Sequence, residues 1–392
     1  MFSSNVLAAS ESQTLAIAAK AKVMQSKGVD VVSLSTGEPD FPTPTSAKNA
    51  AIDAINANFS HYTHANGIIE LREAVAHRFR TMNGIQSATA ETILISTGAK
   101  QSIFNALLAL CNSGDTILIP SPYWVSYPAM VTMCGATPVF METTFENRFL
   151  VTPETLEQSL TPTTKAVILN SPSNPTGTMY SKEQLQALVN VLAKHSCYII
   201  TDEIYERINF GSIDHCSLAS FPEIADRVIT INGVSKAYAM TGWRVGFLHC
   251  QQPLFKEISK AQGQITSNPN SIAQKAALAA LKFADSDVET MNEAFKKRSE
   301  LMCSLLGEIK DITFLKPDGA FYVFVNITKW LQSTSMTSAQ FCESALDVEF
   351  LAITPGEAFG MEGYVRFSFA ASDAIIIEGV KRFKSALERI SS

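Results

Sequence analysis

The stretch VITINGVSKAYAMTGWRVGFL, residues 228–248, contains the features on which the fold prediction rests. Its two ends, Val228–Ile231 and Val245–Leu248, are short and apolar at successive positions. Such runs are typical of strands that helices cover on both faces of a sheet. Lys236 follows the first run, at the edge where sheets of this type bind their ligands. The residues that follow each apolar run are therefore the candidate site residues.

The same pattern recurs through the middle of the chain, where apolar runs alternate with amphipathic helical stretches. The other runs are TILIS at 92–96, TILI at 116–119, AVIL at 166–169 and YIIT at 198–201. The helical candidates include Lys100–Cys111, Lys182–Lys194 and Asn270–Phe283. Strands that alternate with helices predict an α/β fold with a mostly parallel central sheet flanked by helices.

A change of texture near residue 285 predicts a second, smaller α+β domain. A long polar helix, Ser286–Ile309, leads to strand candidates Ala320–Val325 and Val365–Phe369 and then to a helix from Asp373. Before Pro44 there is one helical candidate, Thr14–Lys27. We therefore predict an N-terminal arm that forms part of the small domain (residues 1–44), a large domain (45–284) and a small C-terminal domain (285–392).

The composition argues against several classes of function. The net charge is −6 without a cluster of Lys and Arg, so nucleic acid is not an expected partner. No run reaches about 18 apolar residues, so no membrane span is expected. The seven cysteines are scattered and lack a C-x-x-C pair, which is typical of a reduced, cytoplasmic protein. The six histidines form no H-x-x-x-H pair, and no metal site is predicted.

The motif S-K-x5-G-x-R, which contains Ser235, Lys236 and Arg244, carries the most informative chemistry. A lysine just beyond a buried strand end is poorly solvated, and desolvation lowers the pKa of an amine and frees its lone pair to attack an aldehyde. The Ser235 hydroxyl and the planar guanidinium of Arg244 are suited to binding a phosphate.

Polar or aromatic side chains follow the other strand candidates in the same way. Asp202 ends the run YIIT, and a carboxylate there needs a cationic partner. Asn174 lies in the proline-rich loop after AVIL, and Trp124 after TILI can stack on a flat ring. The residues Gly98–Lys100 open a helix, whose free N–H groups attract an anion. Arg366 lies between apolar neighbours and would need a carboxylate ligand if buried.

These motifs, in this order from about Ser12 to Arg389, resemble the class I/II aminotransferases of fold type I, and most of all the prokaryotic-type aspartate aminotransferases. The resemblance implies pyridoxal 5′-phosphate as cofactor, bound covalently to Lys236. It implies catalytic roles for Lys236, Asp202 beside the ring nitrogen and Tyr205 beside the ring hydroxyl. The remaining cofactor-binding residues that it implies are Gly98, Ala99, Lys100, Trp124, Asn174, Ser235 and Arg244, with Tyr62 from a neighbouring subunit.

The resemblance also implies how the substrate is held. Arg366 would bind the α-carboxylate, in a site that Gly37, Trp124 and Asn174 complete. Lys100, helped by Ser12 and Thr14, would bind a distal carboxylate, which favours an acidic amino acid such as aspartate. Because Tyr62 is assigned to the neighbour's site, the resemblance implies a homodimer with shared active sites.

The function that follows is transamination between an L-amino acid, with aspartate favoured, and a 2-oxo acid such as 2-oxoglutarate. The alternatives are an aminotransferase for prephenate, aromatic or small neutral amino acids, and a pyridoxal-phosphate-dependent β-lyase, since one fold hosts several reactions. A non-enzymatic regulator of the same fold is disfavoured. Such regulators carry an additional N-terminal DNA-binding domain, whereas the motifs here begin near residue 12.

Overall fold

The computed structural model describes residues 2–10 and 13–390, and for residues 13–15 it describes the backbone alone. Its strands, in chain order, are β1 Val32–Ser33, β2 Ile93–Ser96, β3 Thr116–Ser121, β4 Thr137–Glu142, β5 Thr164–Asn170, β6 Tyr198–Asp202, β7 Val228–Gly233, β8 Gly246–His249, β9 Thr313–Phe314, β10 Tyr322–Asn326, β11 Leu351–Ala352, β12 Thr354–Pro355 and β13 Tyr364–Ser368.

Helices surround these strands, and several begin at residues with the expected capping chemistry. Ser181 and Gln184 form a capping box at the start of α8, and Asn270 accepts a hydrogen bond from the Ala273 N–H at the start of α10. The helices are α1 Ser4–Ala8, α2 Gln13–Ser26, α3 Thr45–Asn56, α4 Ile69–Met82, α5 Ala99–Leu110, α6 Ser126–Met133, α7 Pro153–Ser159, α8 Lys182–Leu192, α9 Leu254–Thr266, α10 Ser271–Phe283, α11 Asp285–Gly307, α12 Thr328–Thr334, α13 Ser338–Glu349 and α14 Asp373–Ile390.

The central sheet has seven strands in the described residues, in the order β2-β8-β7-β6-β5-β3-β4. The pairs among β7, β6, β5, β3 and β4 are parallel, whereas β8 is antiparallel to both β2 and β7. The register sets Asn170 beside Asp202 and Asp202 beside Ile231. The carboxyl ends of β5, β6 and β7 therefore lie side by side, which gathers the residues that follow them.

Each central strand is apolar at successive positions because both faces of the sheet are covered. In β5, Val167 and Leu169 join one buried cluster, to which α8 contributes Leu185. Ile168, between them, joins a second cluster, to which α5 contributes Ile103. Successive side chains of a strand point to opposite faces, so this alternation defines a helix–sheet–helix arrangement with a core on each side.

A smaller sheet is built from the last third of the chain, in the order β12-β13-β10-β9 with antiparallel pairing. The N-terminal β1 pairs in parallel with β11, so a segment before residue 44 joins the C-terminal elements. The division of the chain at residues 44 and 284 stays a prediction.

The prediction of a mostly parallel central sheet flanked by helices is confirmed, together with a smaller antiparallel sheet. The features that differ from the expectations include one strand and one helix. The edge strand β4 was not predicted, because three of its six residues are exposed and it lacks a continuous apolar run. The short helix α1 precedes the single N-terminal helix that was expected, and none of its residues is buried. Of the helices in the described residues, none has the length and apolar character needed to cross a membrane.

Candidate active site

A cavity of about 370 Å³ lies at the carboxyl ends of the central strands, between them and the smaller sheet. The large sheet contributes residues that follow β2, β3, β5, β6 and β7, and the other side contributes Gly37 of the segment after β1, Tyr322 of β10 and Arg366 of β13. Most of the residues singled out in the sequence line this one cavity, which makes it the candidate active site.

Asp202, the last residue of β6, is 4% exposed and its carboxylate lines the cavity. One oxygen, Oδ2, accepts a hydrogen bond of 2.7 Å from the Tyr127 hydroxyl, and Oδ1 accepts one of 3.2 Å from the Ile204 N–H. Burial raises the pKa of Asp202 to about 6, against the lowering effect of these two donors. A cationic partner was expected beside the Asp202 carboxylate. In the described part of the chain, no Arg or Lys nitrogen lies within 4.0 Å of it. A cationic group of a ligand can take that place.

Lys236 lies three residues beyond β7 and is half-buried because it lines the cavity. Its Nζ donates a hydrogen bond of 2.5 Å to the carbonyl oxygen of Gly37, which comes from the opposite wall. Desolvation lowers the pKa of the Lys236 amine to about 8, and the Glu38 carboxylate offsets part of this effect. An amine with this pKa is neutral far more often at pH 7 than an ordinary lysine, whose pKa is about 10.4.

A corner of the cavity that is suited to an anion lies where α5 begins. Gly98 precedes the helix with a φ of 84°, and a Cβ atom at this position would lie 2.3 Å from Nη2 of Arg244. Glycine is therefore needed for the close approach of the backbone to the guanidinium. Ala99, Lys100, Ser235 and Arg244 line the cavity here, and a helix N-terminus with these donors suits a phosphate.

Arg366 is buried in the middle of the smaller sheet, with only 4% of its surface exposed. Nη1 donates to Oδ1 of Asn174 at 2.9 Å, and Nη2 donates to the Ser35 carbonyl at 2.7 Å. Its Nε has no hydrogen-bond partner in the described residues, and no Asp or Glu of that part pairs with it. A buried guanidinium without a carboxylate is costly, so the cavity is suited to a carboxylate ligand.

Several aromatic residues shape the walls of the cavity. The Tyr205 hydroxyl lies 2.9 Å from the Tyr322 hydroxyl, and the Arg366 guanidinium lies 4.3 Å from the centre of the Tyr322 ring. A Cβ atom at Gly37 would lie 2.4 Å from the Tyr322 hydroxyl, so only glycine fits there. At the mouth, the Lys100 amine lies 5.0 Å from the centre of the half-buried Trp124 ring.

Among the described residues that were singled out in the sequence, Gly98 and Tyr62 are not part of the cavity lining. Tyr62, between α3 and α4, is 89% exposed. Ser12 falls outside the described residues, and so does the side chain of Thr14. The backbone of Thr14 belongs to α2, whose Ala18 does line the cavity.

Tyr127 and Tyr322 are among the lining residues that received no role from the sequence. Tyr127 occurs three residues after Trp124, and this proximity in the sequence could have suggested that both face the site. Tyr322 gave no such signal, because it meets Gly37 and Tyr205 only through long-range packing.

A separate buried group of polar side chains lies behind β6. Glu203, Glu206 and His215 have potential ligand atoms within 4.8 Å of one another. The group is internally bonded: His215 Nε2 lies 3.1 Å from Glu203, and Asn83 Nδ2 donates to Glu203 at 3.2 Å and to Glu206 at 2.5 Å. Against the opposing effect of burial, the two glutamates raise the pKa of His215. These hydrogen bonds are sufficient to explain why the three side chains lie together.

The sequence and the fold are similar to those of known aminotransferases. The family model described as aminotransferase class I and II matches residues 29–383. An aspartate/prephenate aminotransferase of Nitrosomonas europaea is 42% identical, over 98% of this chain and 99% of that protein. The aspartate aminotransferase of Bacillus subtilis is 39% identical, over 98% of each. The aspartate aminotransferase of Thermus thermophilus, solved with maleate, superposes with a TM-score of 0.93 at 37% identity, over 98% of this chain and 99% of that one. The family match over residues 29–383, together with similarity over nearly the whole length of these relatives, establishes that the chain belongs to the class I and II aminotransferases.

Proposed function

We propose that this aminotransferase binds pyridoxal 5′-phosphate covalently through Lys236 and transfers the amino group of an acidic amino acid, aspartate above all, to a 2-oxo acid such as 2-oxoglutarate. The observation that carries the proposal is the lowered pKa of the Lys236 amine, about 8, in a cavity that is also lined by Arg366, whose buried guanidinium has no carboxylate partner in the described residues. A nucleophilic amine beside a carboxylate-binding group is the pair of functions that an amino-acid transferase needs.

The residues of the cavity fit the cofactor. The start of α5, with Ser235 and Arg244, offers donors for the phosphate. Asp202 offers a buried carboxylate for the ring nitrogen, and Trp124 offers a face for the ring. The amide of Asn174 and the hydroxyl of Tyr205 are suited to the ring oxygen. When bound, pyridoxal phosphate supplies a ring that accepts the electrons of the breaking bond at the substrate α-carbon.

The protein's own part in the reaction is positioning and proton transfer. Arg366 binds the α-carboxylate through a bidentate pair, which fixes the orientation of the substrate. The neutral Lys236 amine then accepts the proton from the substrate α-carbon and later returns a proton as the acid. A pKa near 8 suits both roles near neutral pH, because both protonation states are accessible.

Labelling of Lys236 tests the proposal directly. The protein is incubated with pyridoxal phosphate, reduced with sodium borohydride, digested and mapped by mass spectrometry. We expect one modified peptide, with the label on Lys236. A label on another lysine, or no label, would contradict the proposal. A panel of amino acids and 2-oxo acids, assayed with added cofactor, then ranks the substrates.

The choice of an acidic substrate rests on Lys100. Its amine stands at the cavity mouth without an Asp or Glu partner in the described residues, and its pKa is lowered by desolvation and by Arg244. A dicarboxylic substrate would supply that partner. The names of the Nitrosomonas and Bacillus relatives and the maleate in the Thermus structure support the same choice.

The variant Lys100→Ala should lose aspartate turnover far more than alanine turnover. One charge-assisted contact to the distal carboxylate contributes about 1.5–3 kcal/mol, so we expect kcat/KM for aspartate to fall about 10- to 100-fold. Alanine has no distal carboxylate, and its kcat/KM should fall less than about 3-fold, within the scatter of exposed substitutions. Equal losses for both substrates would contradict a role in distal-carboxylate binding.

Prephenate is a second candidate substrate, because the Nitrosomonas relative is named for both aspartate and prephenate. Prephenate also carries two carboxylates, so Lys100 and Arg366 could serve both. The substrate panel shows whether the enzyme accepts prephenate in addition to aspartate. The same panel includes aromatic and small neutral amino acids, and it is accompanied by an assay for β-elimination.

We further propose that the active enzyme is a cytoplasmic homodimer with shared sites. Tyr62 is 89% exposed, and nearby α3 exposes Ile52 and Ile55, which suits a surface that a second subunit covers. The seven cysteines are free, as expected in a reducing compartment.

Mixing two inactive variants tests the shared site. If Tyr62→Ala and Lys236→Ala each inactivate the enzyme, refolding them together should restore about a quarter of wild-type activity, because half of the dimers then carry one intact site. Each variant refolded alone is the control. No recovery in dimers that are shown to be mixed would contradict sharing of sites.

A further inference from the structure

The buried hydroxyl of Tyr127 makes one contact that the proposed mechanism does not yet use. It donates the 2.7 Å hydrogen bond to Oδ2 of Asp202, and both residues are almost fully buried. Tyr127 lies in the first turn of α6, and its ring packs edge-to-face on Trp124 with 5.2 Å between centroids. It therefore connects the carboxylate at the cavity floor to the wall formed by Trp124.

We propose that Tyr127 is a positioning residue, which keeps Asp202 ionised and aims its carboxylate at the ring nitrogen of the bound cofactor. The proposal rests on the function proposed above, in which Asp202 faces that nitrogen. Tyr127 acts through Asp202 and needs no contact with substrate.

The surroundings of Asp202 show why a donor is needed. The ionisable groups that face it are Tyr127, Glu203, Tyr205 and Lys236. Glu203 disfavours the charged form, and Lys236 is mostly engaged with Gly37 and Glu38 on the other wall. Of the two hydrogen bonds that the Asp202 carboxylate accepts within the described residues, the one from Tyr127 is shorter and is the only one from a side chain.

The hydroxyl is also well suited to remain a donor. Burial, and the negative charge of Asp202 beside it, raise the pKa of Tyr127 well above its usual value, so the phenol stays protonated. Without this donor, the pKa of Asp202 would rise further, and a neutral carboxylic acid cannot balance a pyridinium charge. Without the ion pair between the Asp202 carboxylate and the protonated ring nitrogen, the ring would accept electrons less strongly.

The test compares two ligands in the apoprotein: pyridoxal phosphate, and its analogue in which a C–H group replaces the ring nitrogen. Dissociation constants are measured by equilibrium dialysis at pH 7.5 for the wild type, Tyr127→Phe and Tyr180→Phe. Tyr180 is the matched control, because it is a buried tyrosine whose hydroxyl accepts one hydrogen bond, from the Val151 N–H, away from Asp202.

We expect Tyr127→Phe to weaken binding of pyridoxal phosphate about 10-fold, or about 1.4 kcal/mol, and to leave binding of the analogue within about 2-fold. Tyr180→Phe should not separate the two ligands. An equal loss for both ligands, or no loss, in Tyr127→Phe would overturn the inference, and the proposed function would stand if the wild type still binds pyridoxal phosphate on Lys236. A wild type that fails to bind pyridoxal phosphate would overturn both.

The pH dependence of binding gives a second readout. Affinity for pyridoxal phosphate should fall as the pH decreases and Asp202 becomes protonated. In Tyr127→Phe the midpoint of this fall should move to higher pH, and in Tyr180→Phe it should not move. An unchanged midpoint in Tyr127→Phe would overturn the inference, because a purely structural tyrosine predicts that result.

Discussion

Replacing Lys236 by alanine is expected to reduce kcat/KM by at least about 10⁴-fold, since proton transfer by a positioned side chain alone contributes about 10²–10⁴-fold and the covalent attachment is lost as well. The residue is placed for both tasks by β7, which ends three residues earlier, and by its contact with Gly37. At a pKa of about 8, roughly a tenth of the amine is neutral at pH 7. Steady-state kinetics with aspartate and saturating cofactor measure the loss.

Two further variants make the Lys236 result specific. Lys236→Arg keeps the positive charge, but the guanidinium does not deprotonate in this pH range, so it should be as inactive as the alanine variant. Lys256→Ala removes an exposed lysine of α9 and should leave kcat/KM unchanged. Circular dichroism confirms that each variant is folded. Substantial turnover by folded Lys236→Arg would show that a neutral amine is not required.

Some of the elements that form this site could be predicted from the sequence, and others could not. The strands β3, β5, β6 and β7 were predictable because a strand buried on both faces must be apolar at successive positions, as Val167 and Ile168 illustrate. The lysine beyond β7 followed from the same reasoning, since ligands bind at the carboxyl ends of such strands. Local sequence does not encode strand direction, and the antiparallel orientation of β8 was therefore not predicted.

The opposite wall of the cavity depends on long-range contacts. Arg366 meets Asn174 and the Ser35 carbonyl across 192 and 331 residues of chain. Its chemistry could be anticipated from its apolar neighbours, but its burial without a carboxylate from the described residues could be seen only once the smaller sheet was placed against the larger one. The same holds for Tyr322, which requires glycine at position 37. The resemblance to a family implies that Arg366 binds the substrate carboxylate, and the packing gives a physical reason to expect it.

Replacing Arg366 by lysine is expected to lower kcat/KM for aspartate about 100-fold. Lysine keeps the charge but lacks the planar fork that pairs with both carboxylate oxygens. The loss of two charge-assisted contacts that contribute about 1.5 kcal/mol each amounts to about 3 kcal/mol, and this corresponds to about 100-fold. The acceptors Asn174 Oδ1 and Ser35 O would also lose their planar partner. Kinetics with aspartate, and binding of the unreactive dicarboxylate succinate, measure the effect.

The Arg366→Lys substitution should weaken substrate binding and leave cofactor binding almost unchanged. In the proposed function, Arg366 binds the carboxylate of the substrate. Its replacement should therefore leave the affinity for pyridoxal phosphate within about 2-fold of the wild type. Arg382→Lys is the matched control, because Arg382 pairs with Asp30 and Glu378 on the surface and such pairs contribute little. If succinate binding were unchanged while cofactor binding weakened, Arg366 would belong to the cofactor site instead. The bidentate pair requires the reverse result: weaker dicarboxylate binding with an intact cofactor site, because the guanidinium is the buried cation that lacks a carboxylate within the described chain.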